Sequence, residues 1–376
     1  MPYKKVFLNL MSNKILYRNK ILIIGILLLF GTIAYSQKDS ARSKHVLAFP
    51  VIAKSIETGW SFGAAALTTF HLSKLDTATR TSNIQSLVLY SLKKQFVTAI
   101  NGAEYFSKEK YILNEQFSYS SFPDKFWGLG KYTKGREGEN YDFQQFYINL
   151  HLLKHVGNNL FVGLLFEFQD LLKVRYDAGG LFDQENVVGK TPYIVSGLGL
   201  SFTYDKRNDA FAPDKGTFAQ FYFNHFDSYL GSDYKYTNLV LDYRKYIRLY
   251  KKNVLALQAY SFTNLGDSIP LRSLASLGGA NSMRGYYAGR FKDKQQLVLQ
   301  SEYRMPVYKR FGAVVFLSMG DVGNTPTDFA LPDFKYSFGG GVRFALNKSE
   351  KMNLRLDYGI GQGKNSGLYF QLGEAF

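Results

Sequence analysis

The sequence predicts an all-β protein, a 16-stranded antiparallel transmembrane β-barrel with an N-terminal signal peptide. Three observations support this prediction. Segments of about ten residues alternate between apolar and polar positions, as expected for a wall with lipid outside and a polar lumen inside. The number of segments is even, as in single-chain bacterial barrels. The connections alternate between short and long, as expected when one rim carries turns and the other carries loops.

The composition excludes several other classes of protein. A helical membrane protein needs several apolar runs of about 20 residues, and this chain has one such candidate, at its N-terminus. The 28 Tyr and 32 Phe favour strands and membrane interfaces. Without cysteine, disulfides and thiolate metal sites are impossible. The net charge of +16 is spread along the chain rather than gathered in a basic block, so nucleic-acid binding is not expected.

Residues 1–36 have the features of a secretory signal peptide. Lysines and arginines precede the apolar stretch Ile21–Tyr35, and Ala34-Tyr35-Ser36 places small residues where a signal peptidase reads them. The mature chain would begin at Gln37, and either Met1 or Met11 could be the start. The alternative is a short membrane anchor, but the stretch is near or below the minimum spanning length and polar sequence follows it at once.

The strand pattern is clearest in 295–307. Its even positions are largely polar, including Glu302 and Arg304, whereas odd positions such as Leu297 and Leu299 are apolar. This alternation predicts a strand with one face to lipid and one to the lumen. Sixteen such segments begin near His45, Trp60, Ser82, Phe96, Tyr111, Phe143, Leu160, Tyr193, Thr217, Tyr236, Asn253, Gln295, Phe311, Tyr336, Met352 and Gly367.

The connections predict the orientation of the barrel. Those after the fourth, sixth, tenth, twelfth and fourteenth strands are short, and those after the fifth, seventh, eleventh and thirteenth are long, the longest covering 266–294. Barrels of this class lie in the bacterial outer membrane with short periplasmic turns, so both termini should be periplasmic. Because about eight residues separate Gln37 from the first strand, we expect 37–376 to form one barrel without a soluble N-terminal domain.

The longest loop contains the motif Met283-Arg284-Gly285-Tyr286, preceded by Gly278 and Gly279. Glycines allow close backbone approach and sharp bends. The next strand carries Glu302 on its lumen face. An arginine that folds back into a barrel could pair with this carboxylate through two hydrogen bonds and hold the loop inside.

These residues resemble the BamA/TamA family of outer-membrane assembly and translocation barrels, also called bacterial surface antigen barrels, over about 330 residues. The family carries an Arg-Gly-Phe/Tyr motif on its sixth outer loop, where Arg284 falls, and a glutamate on the next strand, where Glu302 falls. The resemblance implies that Arg284 and Glu302 pair. It extends to a Y-D-x-R…P-x-x-G segment and to an aromatic ending read by the barrel-assembly machinery, here Tyr204, Asp205, Arg207, Pro213 and Gly216, and Phe376.

Two departures qualify the resemblance. Family members usually offer the loop arginine an aspartate on the following strand, but here Ser318 occupies that position. Asp321 lies three residues further, which places it on the opposite face of a regular strand. We therefore expect an Arg284–Glu302 pair rather than a triad. The chain also lacks the periplasmic POTRA domains that deliver substrate in the family.

Other lumen and interface residues have simpler interpretations. Asp242, Arg244, Arg355 and Asp357 should form cross-strand pairs that fill the lumen. The two tryptophans, Trp60 and Trp127, should lie at the membrane interface. Pro50 in the first strand and Gly373 in the last would weaken pairing between these strands, as a lateral gate requires, although ordinary strand irregularity explains them equally.

Three classes of function follow. The resemblance implies a barrel that assists insertion or translocation of outer-membrane components. The alternative is a pore obstructed by the Arg284 loop, without assembly activity. A barrel phospholipase would need Ser, His and an acid or amide together, and neither His71 nor His225 has an evident serine partner, so we expect no enzyme. The expected partners are outer-membrane lipid and periplasmic delivery proteins or lipoproteins, around a monomeric barrel with no cofactor and no metal.

Overall fold

The computed structural model describes residues 45–72, 79–133, 137–347 and 352–376. The predicted signal peptide lies outside these residues and stays a prediction. In this part of the chain, no helix combines the length and the apolar character needed to cross a membrane.

Sixteen strands form one antiparallel sheet in which each strand pairs with the next along the chain. They are β1 (His45–Ser55), β2 (Gly59–Phe70), β3 (Ser82–Ser91), β4 (Phe96–Tyr105), β5 (Tyr111–Phe126), β6 (Glu139–Gly157), β7 (Leu160–Arg175), β8 (Tyr193–Asp205), β9 (Gly216–Phe226), β10 (Tyr236–Arg248), β11 (Val254–Leu265), β14 (Gln295–Tyr308), β15 (Phe311–Gly323), β16 (Lys335–Asn347), β17 (Met352–Gly361) and β18 (Ser366–Leu372). The predicted 16-stranded barrel is confirmed, and each strand begins within one residue of its predicted start except β6, which begins four residues earlier.

The two faces of the wall differ as the sequence pattern predicted. On β14, Gln296, Gln300 and Glu302 are buried while Leu299 is exposed. Exposed aliphatic and aromatic side chains recur on the same outward face of most strands. Polar side chains therefore face the lumen and apolar side chains face outward, as a membrane-spanning barrel requires.

The barrel is nearly closed. The order of the sheet runs from β1 to β18, and these two strands lie side by side without a backbone ladder between them in the described residues. β18 has only seven residues, and Pro50 removes one backbone donor from β1. Gly373 lies after β18, so its predicted position within the last strand was wrong.

The barrel has two rims. The turn rim carries the short connections 106–110, 158–159, 249–253 and 309–310, and the loop rim carries the long ones 127–138, 176–192, 266–294 and 324–334. The longest connection, 266–294, has the bounds that the sequence predicted and is called loop L6. Within it, β12 (Ala275–Leu277) and β13 (Phe291–Asp293) form a separate two-stranded sheet. Leu277, Met283, Tyr286 and Phe291 of L6 pack against Val298 and Val322 of the barrel.

Candidate functional site

Two glycines shape the tip of loop L6. Gly278 has a φ of +113°, and a Cβ at this position would lie 2.1 Å from the carbonyl oxygen of Tyr287. Gly285 has a φ of +112°, and its Cβ would lie 2.7 Å from the backbone nitrogen of Gly361 on β17. Both positions need glycine because a side chain would be strained and would collide with backbone. The loop can therefore turn back on itself and lie against the inner face of β17.

Arg284, at the tip of L6, is fully buried inside the barrel. Its Nη2 donates to Oε1 of Glu302 on β14 at 2.5 Å, and its Nη1 donates to Oδ2 of Asp357 on β17 at 2.5 Å. Its guanidinium carbon lies 3.6 Å from the centre of the Phe316 ring. The structure therefore brings together the two residues that the sequence singled out. Arg284 therefore ties the loop to β14 and β17, which lie on either side of β15 and β16 in the sheet.

The expectation of a pair rather than a triad was wrong. Asp357 supplies the second carboxylate, although the sequence suggested that it would only fill a cross-strand pair. Ser318 donates instead to Gln300, and Asp321 pairs with Lys335, so neither replaces the missing aspartate. The prediction of cross-strand ion pairs holds for Asp357, which binds Arg343 of the neighbouring β16. It was wrong for Asp242 and Arg244, which pair within β10, and for Arg355, which binds Asp357 of its own strand and Asn281 of L6.

Four arginines and three carboxylates surround the tip of L6. We call this set the arginine cluster, and it comprises Arg284, Arg304, Arg343, Arg355, Glu302, Asp357 and Glu374. Arg304 donates to Glu302 at 2.8 Å, and Arg343 donates to Asp357 at 2.5 Å. Nearly all of these side chains are shielded from solvent. The side chains of the cluster carry one more positive charge than negative charges. Each of its three carboxylates has more than one guanidinium partner, as buried charges require.

Two tyrosines fix the backbone next to Arg284. The Tyr369 hydroxyl on β18 accepts from the Gly285 N–H at 3.0 Å and donates to the Tyr286 carbonyl at 3.1 Å. The Tyr286 hydroxyl donates to the Tyr336 carbonyl at 3.0 Å and accepts from the Gln362 N–H at 2.8 Å. Burial raises the pKa of Tyr286, so its hydroxyl keeps the proton that it donates.

Phe376 is buried in the lumen near the turn rim. After β18, Gly373 (φ +84°) turns residues 373–376 inward, and we call these residues the tail. Phe376 packs against Tyr246, Val254 and Ala256, and its backbone oxygen accepts from Arg304 at 2.8 Å. Glu374 accepts from Arg343 at 2.8 Å and from Asn353 at 2.7 Å. The tail and L6 therefore bind the same cluster from opposite sides.

The Y-D-x-R…P-x-x-G segment forms the β8–β9 turn. Asp205 accepts from Arg207 at 2.8 Å and also from Arg80, at 2.8 Å, in the β2–β3 connection. Gly216 (φ +117°) must be glycine, because a Cβ would lie 2.1 Å from the Lys206 oxygen. Pro213 is buried. Arg80 also binds Glu109 of the β4–β5 turn, so it ties three connections of the turn rim together.

Sequence reasoning missed several of these residues. Arg343 could have been noted as a lumen-facing charge on the strand next to that of Asp357. Asp357 was predicted to fill the lumen, but nothing in the spacing of either residue points to Arg284. Glu374 and Tyr369 carried no recognisable signal. Trp127, expected at the membrane interface, packs instead on Tyr287 of L6 with ring centres 5.0 Å apart.

The histidines considered for hydrolysis bind threonines. His225 Nδ1 lies 2.8 Å from the Thr237 hydroxyl, and His71 Nε2 lies 3.2 Å from the Thr81 hydroxyl. The two histidines lie near opposite rims.

Comparisons with known proteins point to one family. The model of the Omp85 superfamily domain matches residues 90–376. The fold resembles BamA from Haemophilus ducreyi lacking POTRA domains 1–3, with a TM-score of 0.56, 15% identity, and coverage of 89% of this chain and 71% of that one. It also resembles CdiB from Acinetobacter baumannii, with a TM-score of 0.54, 10% identity, and coverage of 89% and 60%. No curated protein sequence matches the chain.

Proposed function

The chain belongs to the Omp85 superfamily of outer-membrane barrels, and we propose that it assists the insertion or translocation of proteins or other envelope components. The observation that carries this proposal is the contrast between loop L6, which is fixed inside the lumen, and the unpaired boundary between β1 and β18, which we call the seam. Arg284 holds L6 inside the barrel through Glu302 and Asp357. Beside it, β1 and β18 share no backbone ladder. Unpaired strand edges are templates for another chain, so the seam can receive a strand of an incoming polypeptide.

The orientation and the domain limits belong to the same proposal. Both termini and the turn rim face the periplasm, L6 enters the lumen from outside, and residues 1–36 are removed as a signal peptide. We also propose that separate periplasmic proteins or lipoproteins deliver the substrate and that the barrel itself performs no catalysis. Phe376 serves as the recognition signal for assembly of this chain.

A reversible cross-link across the seam tests the role in insertion. An ideal Cβ at Gly367 of β18 lies 3.1 Å from Cγ2 of Ile56 in the β1–β2 turn, which is close enough for an Ile56→Cys/Gly367→Cys disulfide. The same Cβ lies 2.8 Å from the Tyr369 hydroxyl, which must shift. Because this shift occurs in both redox states, the oxidised variant is compared with the same variant after reduction. The chain has no other cysteine. Oxidation should lower the amounts of other barrel proteins in the outer membrane, and reductant should restore them. The control links Ile360 and Ser366, partners within the β17–β18 ladder. Unchanged levels of other barrels with the seam locked would contradict the proposed route.

A gated pore is the second candidate, and the polar lumen supports it. Gln258, Gln300 and Asp242 line the lumen beside L6, and the loop is held by noncovalent contacts. Deletion of residues 278–287 should then give steady single-channel conductance in planar bilayers. If this deletion conducts while the disulfide across the seam has no effect on other barrels, the pore replaces insertion as the function.

A further inference from the structure

A cavity of about 350 Å³ opens on the wall at the loop rim, at one end of β5, β6 and β7. Its lining includes Lys93 and Lys94 from the β3–β4 turn and Lys173 and Arg175 from β7. Asp142 is the carboxylate in the lining. None of the described residues that line this cavity belongs to L6, the tail or the arginine cluster.

The strand register shows that these β7 cations point outward, toward the membrane. Arg175 lies opposite Asp142, and Lys173 lies opposite Gln144, while Phe143 between them packs in the lumen core. Because successive side chains of a strand alternate between faces, the neighbours of Phe143 point away from the lumen. Below the cavity, the outward face continues with side chains that suit contact with acyl chains, namely Tyr119, Phe146 and Ile148.

The residues in and around the cavity carry more positive than negative charges. In the part of the chain that the structure describes, no ion pair involves Lys94, Lys125, Lys173 or Arg175. Lys93 donates to the carbonyl oxygens of Ile56 and Glu57. Burial and the nearby charge of Lys125 lower the pKa of Lys93. Five cations, Lys125 among them, therefore lie near three carboxylates. These are Asp142, Glu57 beside Lys93, and Asp170, which is the next outward residue of β7 after Lys173. The remaining excess of positive charge favours a bound anion.

We propose that this cavity binds the phosphate groups of a phosphorylated lipid in the leaflet next to the loop rim. A ligand of this kind places its phosphates among the cations and its acyl chains on the apolar wall below. Cations at a membrane surface attract anionic lipid. The assignment to the outer leaflet rests on the proposed orientation, whereas binding of the phosphates does not.

The binding test uses the full-length barrel in neutral detergent micelles. The probes are a bisphosphorylated disaccharide lipid, its dephosphorylated form and inorganic phosphate, measured by native mass spectrometry. The phosphorylated lipid should bind tightest. Lys173→Gln/Arg175→Gln should weaken its binding by about 30-fold, given the attraction expected of two cations. Lys251→Gln/Lys252→Gln removes the same charge at the turn rim and should change binding less than two-fold.

Three outcomes overturn the proposal: equal loss of binding in both variants, equal binding of the dephosphorylated lipid, or inorganic phosphate binding as tightly as the phosphorylated lipid. The shift of folded protein on unheated gels verifies that each variant forms a barrel. A Lys94→Cys variant, treated on intact cells with a membrane-impermeant maleimide, tests the leaflet separately. Labelling supports the outer leaflet. Absence of labelling overturns the outer-leaflet assignment and the proposed orientation, but leaves the phosphate site to be judged by the binding test.

Discussion

The charge balance of the arginine cluster predicts unequal effects of removing its members. The cluster has four arginines and three carboxylates. Arg284→Met leaves three charges of each sign, because Glu302 keeps Arg304 and Asp357 keeps Arg343 and Arg355. Glu302→Gln leaves four positive charges against two negative ones. The second change should therefore cost more, although the first removes the anchor of L6.

The magnitudes follow from the contacts that are lost. Removing one partner of a buried ion pair costs about 3–5 kcal/mol, and we expect this loss of unfolding free energy for Glu302→Gln. Arg284→Met loses two charge-assisted hydrogen bonds but leaves paired carboxylates, so we expect about 2–3 kcal/mol. In the double variant the excess of positive over negative charge returns to one. Its cost should fall below the sum of the single costs by at least about 1 kcal/mol.

Urea unfolding in lipid vesicles measures these costs, followed by tryptophan fluorescence and by the gel shift of the folded barrel. The control is Asp321→Asn, which removes a buried carboxylate paired with Lys335 outside the cluster. Combined with Arg284→Met, it should add within about 0.5 kcal/mol. Simple additivity of Arg284→Met and Glu302→Gln would refute the pairing. A larger cost for Arg284→Met than for Glu302→Gln would refute the charge-balance reasoning.

The remaining predictions concern the other contacts that hold the lumen. Gly285→Ala should displace L6 from β17, because the added Cβ would lie 2.7 Å from the backbone nitrogen of Gly361. Single-channel conductance should therefore rise. Unchanged conductance in a variant with a normal gel shift would contradict this. Phe376→Ala should lower the unfolding free energy by about 3 kcal/mol, because the side chain is buried against Tyr246 and Val254. Unchanged urea midpoints would contradict it, and the control is Tyr250→Ala, which changes an exposed aromatic side chain in the 249–253 connection. Arg80→Gln should speed proteolysis at the turn rim by releasing Glu109 and Asp205, and no change relative to Lys251→Gln would contradict it.

Local patterns were enough to predict the barrel. Alternation has a period of two in every strand, so the wall and the limits of L6 could be read from neighbouring residues. The pairing of Arg284 with Glu302 needed only the position of one loop relative to the next strand. Asp357 could not be found in this way, because β17 meets the loop across the lumen and about 70 residues later in the chain. The inward turn of the tail depends on Gly373 and on apolar side chains of β10 and β11, which lie far earlier in the chain and which no local pattern connects to the tail.

The buried position of Phe376 has a consequence for competition among nascent barrels. A receptor that reads this aromatic ring must act before residues 373–376 enter the lumen, because Phe376 is only 6% exposed afterwards. Under the proposed role of Phe376, completion of the barrel withdraws the signal. Finished molecules, however abundant in the membrane, would not occupy the receptor, which stays free for chains that still await insertion.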